Sequence, residues 1–139
     1  MTAEQKKIWL GRHRSARKAE REIELEIEAL EGEWIFPARK MDGMPAVNGG
    51  GKGKDLSEMA AEVEPLWNLL KEQQKKRLRI YREIVEAVEA SPLTETERAV
   101  LRYRYILCLQ WEEIEEQMHM EKSWLHRIRE AAVEKLRIV

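Results

Sequence analysis

The chain has 139 residues, a formal net charge of −1 and a mean hydropathy of −0.62. Charged residues make up 37% and aromatics only 6%, which points to long solvated helices rather than a large globular core. Cys108 is the single cysteine, so an internal disulfide is excluded, and no apolar run approaches the roughly 18–20 residues of a membrane span. The first residues are charged rather than signal-like, so the expectation is a cytoplasmic protein with no membrane partner. Near-neutrality hides local asymmetry. Met1 to Arg21 holds seven basic residues against Glu4 and Glu20, whereas Glu22 to Glu33 holds six glutamates and no base. Pro92 to Val139 carries eight basic and nine acidic residues, so the overall basic footprint of a nucleic-acid binder is absent there.

Residues from about 2 to 35 read as one long helix. Trp9, Ala16, Ile23 and Leu30 fall seven apart, with Ala19 and Ile27 at the second seam position. Ile23 to Ile27 also alternates with period two, as a half-buried strand does. Helical spacing on both sides, and the Glu, Leu and Ala content, decide for helix. The basic stretch Lys6 to Arg21 is either the solvated face of a coiled-coil arm or an arm lying along a DNA backbone.

The pattern stops over residues 36–54, where glycine gathers and a flexible connection is expected. Gly49 to Lys54 is not a Walker loop. No strand precedes it, and Asp55 follows the lysine where Ser or Thr would hold magnesium. A second long helix is expected over about 55–90, capped by Asp55 with Glu58 as reciprocal partner. Leu56, Met59, Val63, Leu66, Leu70, Ile80, Ile84 and Ala87 form its stripe, Pro65 should kink it, and Gln73 and Arg77 interrupt it. Two such helices predict an antiparallel hairpin over residues 1–90, or a coiled coil shared in a homodimer.

Ser91-Pro92 ends that helix, and Thr94 with Glu97 forms a capping box that starts the next. Three helices follow over residues 91–139. Val100, Leu101 and Tyr105 face inward from the first. Trp111, Ile114 and Met118 recur at helical spacing in the second, and Leu125, Ile128, Ala132 and Leu136 in the third. The last two are joined at His119 and Met120 with the spacing of a helix-turn-helix. The fold class expected is therefore all-α: a long helical hairpin or coiled coil, then a three-helix domain.

The order LxxxERxVLxxRYxxxxxWEEIxxxM followed by LxxIxxxAxxKLR resembles region 4 of bacterial sigma factors. More closely, it is similar to the sigma-region-4-like late-transcription regulators of phages and prophages of Gram-positive bacteria, the RinA and ArpU type. A basic start, a glycine-rich middle and a long second helix extend the resemblance over nearly the whole chain. It implies a transcription regulator acting on double-stranded DNA, with host RNA polymerase as a further partner and no cofactor. In a helix-turn-helix the second helix enters the major groove and its N-terminal side chains reach base edges. With Leu125 and Ile128 facing inward, Lys122, Ser123, His126, Arg127 and Glu130 face outward and Trp124 lies at the border. Lys122 and Arg127 can donate to guanine, and Ser123 and His126 can reach bases or phosphates. Arg102 and Arg104 are expected on phosphates, which position rather than specify. Arg129 lies towards the inner edge.

The chain departs from these relatives at four places. They carry glycine where Cys108 and His119 stand, a small residue at Glu115, and Ser or Thr at Glu121. Two other functions are compatible with the pattern: a module that binds RNA polymerase without reading DNA, and a small terminase subunit, which assembles as a ring. Catalysis is not expected. His13, His119 and His126 have no cysteine or carboxylate cluster at metal-ligand spacing, and Cys108 sits between Leu107 and Leu109 as a packing or turn residue.

Overall fold

The computed structural model describes residues 1–40 and 56–138, and all regular structure among them is helical. Helix α1 (Ala3–Leu10) starts at a capping box: Thr2 Oγ1 accepts the Gln5 N–H at 3.2 Å and Gln5 Oε1 accepts the Thr2 N–H at 2.8 Å. Gly11 alone separates it from α2 (Arg12–Lys40), and its N–H still donates to Lys7 O at 2.9 Å. The single helix expected over 2–35 is thus two segments meeting at Gly11. It also runs further than expected, because extending an existing helix needs far less than nucleating one. Residues 36–40, assigned above to a flexible connection, are helical; the rest of that connection and the Asp55 cap lie outside the described residues. Helix α3 (Leu56–Ala90) continues through Pro65.

The chain divides into two compact units, but not at the expected boundary near residue 91. One comprises Lys18–Lys75, the other Met1–Arg17 together with Lys76–Val139. Within the first, Ile27 of α2 and Val63 and Leu70 of α3 are buried together, flanked by Ile23, Leu30, Met59 and Leu66. This is the stripe read from the sequence.

The second unit unites both chain ends. Helix α4 (Glu95–Leu101) starts at the predicted capping box, where Thr94 Oγ1 accepts the Glu97 N–H at 3.1 Å and Glu97 returns a bond to the Thr94 N–H at 2.9 Å. Glu97 also accepts Lys135 Nζ at 2.9 Å. Burial raises the Glu97 pKa, but the Thr94 N–H and the Lys135 ammonium outweigh it, so the carboxyl stays below its ordinary value. A π-wound turn (Arg102–Ile106) continues α4, and then come α5 (Trp111–Met118) and α6 (Lys122–Lys135). Helix α6 packs on α4, α1 and α5. Val100, Ile114 and Leu125 are fully buried in one cluster. Leu10, Ile84, Val88, Leu101, Ala132 and Val133 are fully or almost fully buried in another. Leu10 and Val88 are absent from the stripes read above.

Both turns of this unit are left-handed at a non-glycine residue: Cys108 has φ 58° and His119 has φ 54°. After Cys108 the Leu109 N–H reaches back to Tyr103 O at 2.9 Å, closing the widened π turn. His119 is the C-cap of α5 and is exposed. A left-handed side-chain residue costs roughly 1–2 kcal/mol relative to its right-handed form, a penalty glycine escapes. His119→Gly is therefore expected to raise the urea unfolding free energy by about 1 kcal/mol. Unchanged or lower stability would mean that His119 does not hold this conformation.

Candidate functional site

Helix α6 presents an inner and an outer face. Leu125, Ala132 and Val133 are buried and Ile128 is half-buried, while Lys122, Ser123, Trp124 and Arg127 are exposed. Trp124 leaves half its surface open (52%), and the Arg127 guanidinium carbon lies 5.9 Å from its ring centroid. Glu121 occupies the N-cap in extended conformation without a side-chain cap bond. The α6 N-terminus therefore rests on backbone bonds from Trp124 and Leu125 to Glu121 O, both 3.0 Å.

The predicted outward residues do not all stand free. Lys122 Nζ bonds Glu112 Oε1 at 2.9 Å, which raises the lysine pKa and lowers that of the carboxyl. Arg102 bonds Glu89 at 3.2 Å. Both groups must exchange a carboxylate before meeting another anion. His126 departs further from the sequence reading. It is half-buried, its ring 4.5 Å from that of Trp111 in an edge-on contact, and its Nε2 is buried without a hydrogen-bond partner among the described residues. The side chain leans back on α5 because the 122–126–129 stripe of α6 turns towards Trp111, a direction that spacing within one helix does not fix. Arg104 donates to Leu109 O at 3.0 Å and stacks at 5.0 Å on Trp111, with no ion pair among the described residues. Arg127 and Arg104 are thus the predicted cations that retain unneutralised charge.

The basic N-terminal stretch, read above as a solvated arm or a DNA arm, is largely engaged by the chain itself. Lys6 Nζ donates to Glu134 O at 3.1 Å, and Lys7 pairs with Glu130 at 2.6 Å. Arg12 pairs with Glu83 at 3.5 Å, and Arg17 donates to Leu107 O at 3.2 Å. The bond to Glu130 raises the Lys7 pKa, and the bond to Lys7 lowers that of Glu130. Helix α1 thus covers the C-terminal half of α6 and leaves its N-terminal half open. Lys6 also sits where a cation compensates the terminal carbonyls of α6. The sequence gives no sign of these pairings.

Burial lowers the His126 pKa, helped by the charges of Arg129, Lys122 and Arg104. A histidine whose folded value is depressed takes up its proton in the unfolded chain first. Stability is therefore full above the unfolded value of about 6.5 and is lost as pH falls through it. The urea midpoint should fall between pH 7.5 and pH 5.5, and His126→Gln should flatten that slope. An identical slope in the variant would assign the effect elsewhere.

Cys108 Sγ lies 3.7 Å from Nδ1 of the buried His13, and no group of three or more metal-ligating side chains occurs among the described residues. No helix among them is long and apolar enough to cross a membrane. Comparison with protein-family models, with known proteins and with solved structures gives no match.

Proposed function

We propose that the chain is a sequence-specific DNA-binding transcription regulator of the phage and prophage late-gene type, with α5, the His119 turn and α6 as its helix-turn-helix. One observation carries the reading. The N-terminal half of α6 exposes Ser123, Trp124 and Arg127 together, while Leu125 and Ile114 hold the helix from behind. That is the disposition a recognition helix needs to reach base edges. Arg127 supplies the guanine-type donor, Trp124 an apolar surface for a thymine methyl, and Lys122 a further donor once released from Glu112. The left-handed turns at Cys108 and His119 support the same reading, since sigma-region-4-like chains turn at those points. Leu25, Trp67 and Leu69 of the Lys18–Lys75 unit expose large apolar surface, which supports a homodimer formed through the long helices.

Selection of bound duplexes from a randomised pool, followed by fluorescence anisotropy against a scrambled control, tests the proposal. The selected duplex should bind tighter than the control. Arg127→Ala should reduce that preference by about 10- to 100-fold, the worth of one bidentate base contact. No binding to either duplex would overturn it.

A second reading is favoured by the same surface. With Glu121 at the start of α6 and Lys122 and Arg102 already paired, much of the charge around α6 is met within the chain, which suits a protein partner such as a site on RNA polymerase. In that case Arg127→Ala leaves polymerase binding intact and no duplex is selected.

A further inference from the structure

Two guanidinium groups and one imidazole meet at Trp111. The guanidinium carbons of Arg104 and Arg129 lie 5.0 Å and 5.2 Å from its ring, and the His126 ring stands 4.5 Å away. These groups come from the π turn and α6, and the charge of the exposed Arg14 of α2 acts on Arg104. Burial lowers the Arg104 pKa, and the like charges of Arg14 and Arg129 lower it further. Two carboxylates approach the cluster, and both are taken: Glu112 by Lys122, and Glu130 by Lys7 as well as Arg129. The Nε of Arg129 is buried with no hydrogen-bond partner among the described residues. Arg104 spends one N–H on Leu109 O and Arg129 one on Glu130, which leaves further guanidinium N–H donors for a tetrahedral oxyanion. Like charges held together with no carboxylate on Arg104 are costly in the absence of an anion.

We propose that Arg104 and Arg129, held against Trp111 beside His126, form a seat for one phosphodiester of the nucleic acid backbone. The inference rests on the DNA-reading proposal for α6. It keeps the backbone contact expected of Arg104 and adds Arg129, which Glu130 shares with Lys7, in place of Arg102. The seat lies next to the open half of α6, so a phosphate bound there fixes how deeply Arg127 and Trp124 enter the groove.

The test uses the full chain in two parallel measurements. In the first, inorganic phosphate is titrated against chloride at constant ionic strength. The indole N–H of Trp111 and the Nε–H signals of the arginines are followed by NMR. Saturable shifts in the parent chain, absent in Arg104→Gln, are expected; no saturable shift overturns the seat. In the second, anisotropy is measured at several salt concentrations. The Arg104→Gln/Arg129→Gln double variant should bind selected and scrambled duplexes more weakly by a common factor, with the salt slope reduced by about one. Arg14→Gln, at an exposed position where folding is not at stake, should also weaken both duplexes equally. Unchanged slopes with DNA binding retained would overturn the seat and leave the reader intact. Absence of duplex binding by the parent chain would overturn the reader, and a phosphate titration without saturable shifts would overturn the seat independently of it.

Discussion

Leu125→Ala is expected to destabilise the unit formed by Met1–Arg17 and Lys76–Val139 by about 3 kcal/mol, enough to abolish any activity that depends on α6. Leu125 is completely buried, as are Val100 and Ile114, its companions in the cluster under the α5–α6 corner. Removing its side chain deletes buried methylene and methyl groups and leaves a cavity. Collapse is hindered because one wall is α4, fixed by its capping box and by the Glu97–Lys135 bond. The other wall is α5, whose exit is set by the left-handed His119. Neither can advance without moving a constrained turn. Urea denaturation followed by circular dichroism measures the loss. Ser123→Ala, two positions away and exposed, serves as the control and should change stability by less than about 0.5 kcal/mol. A loss below about 1 kcal/mol for Leu125→Ala would mean that α6 is not seated on this cluster.

Leu10→Ala is expected to cost a similar amount, about 3 kcal/mol, although the residue lies in an N-terminal helix that the heptad reading treated as part of a separate arm. Leu10 is fully buried in the cluster that contains Ala132, Val133 and Leu136. The polar contacts at the same junction, Lys6 to Glu134 O and Lys7 to Glu130, lie at the exposed margin and add little by themselves. Burial of Leu10 is therefore the main force that holds α1 on α6. Hydrogen exchange separates this from a general loss of stability. The amides of α1 and of the C-terminal half of α6 should lose protection first, ahead of α3. Ile8 lies two residues away with 72% of its surface exposed, and Ile8→Ala should leave exchange unchanged. Equal effects of the two substitutions would show that α1 is docked by its charges rather than by Leu10.

Signals that act over a few residues are legible in the sequence, and those that act between distant helices are not. The all-helical character was legible because apolar spacing and capping are local. Thr94 and Glu97 are three residues apart, and Ile114, Leu125 and Ala132 face inward as their spacing requires. The bond from the Gln110 N–H to Glu113 Oε1 at the start of α5, 2.9 Å long, is equally local, but a glutamine N-cap gives a weaker signal than Ser or Thr. The exposed faces of Ser123, Trp124 and Arg127 also follow from spacing within one helix.

Local spacing accounts for the helical character, most of the inward stripes and the break at His119 and Met120. Each depends on side chains a few positions apart, and the backbone period relates them without further information. Tertiary structure alone decided the rest. It brought residues 1–17 onto α6, set Lys6 against the carbonyl of a residue 128 positions away, took Lys122 and Arg102 into ion pairs, and laid His126 and Arg129 on Trp111. A charge on a helix surface has many possible partners at similar energy. Which one it meets depends on where distant helices pack, and that is fixed by the shared burial of residues such as Leu10, Leu101 and Val133 rather than by the charges themselves.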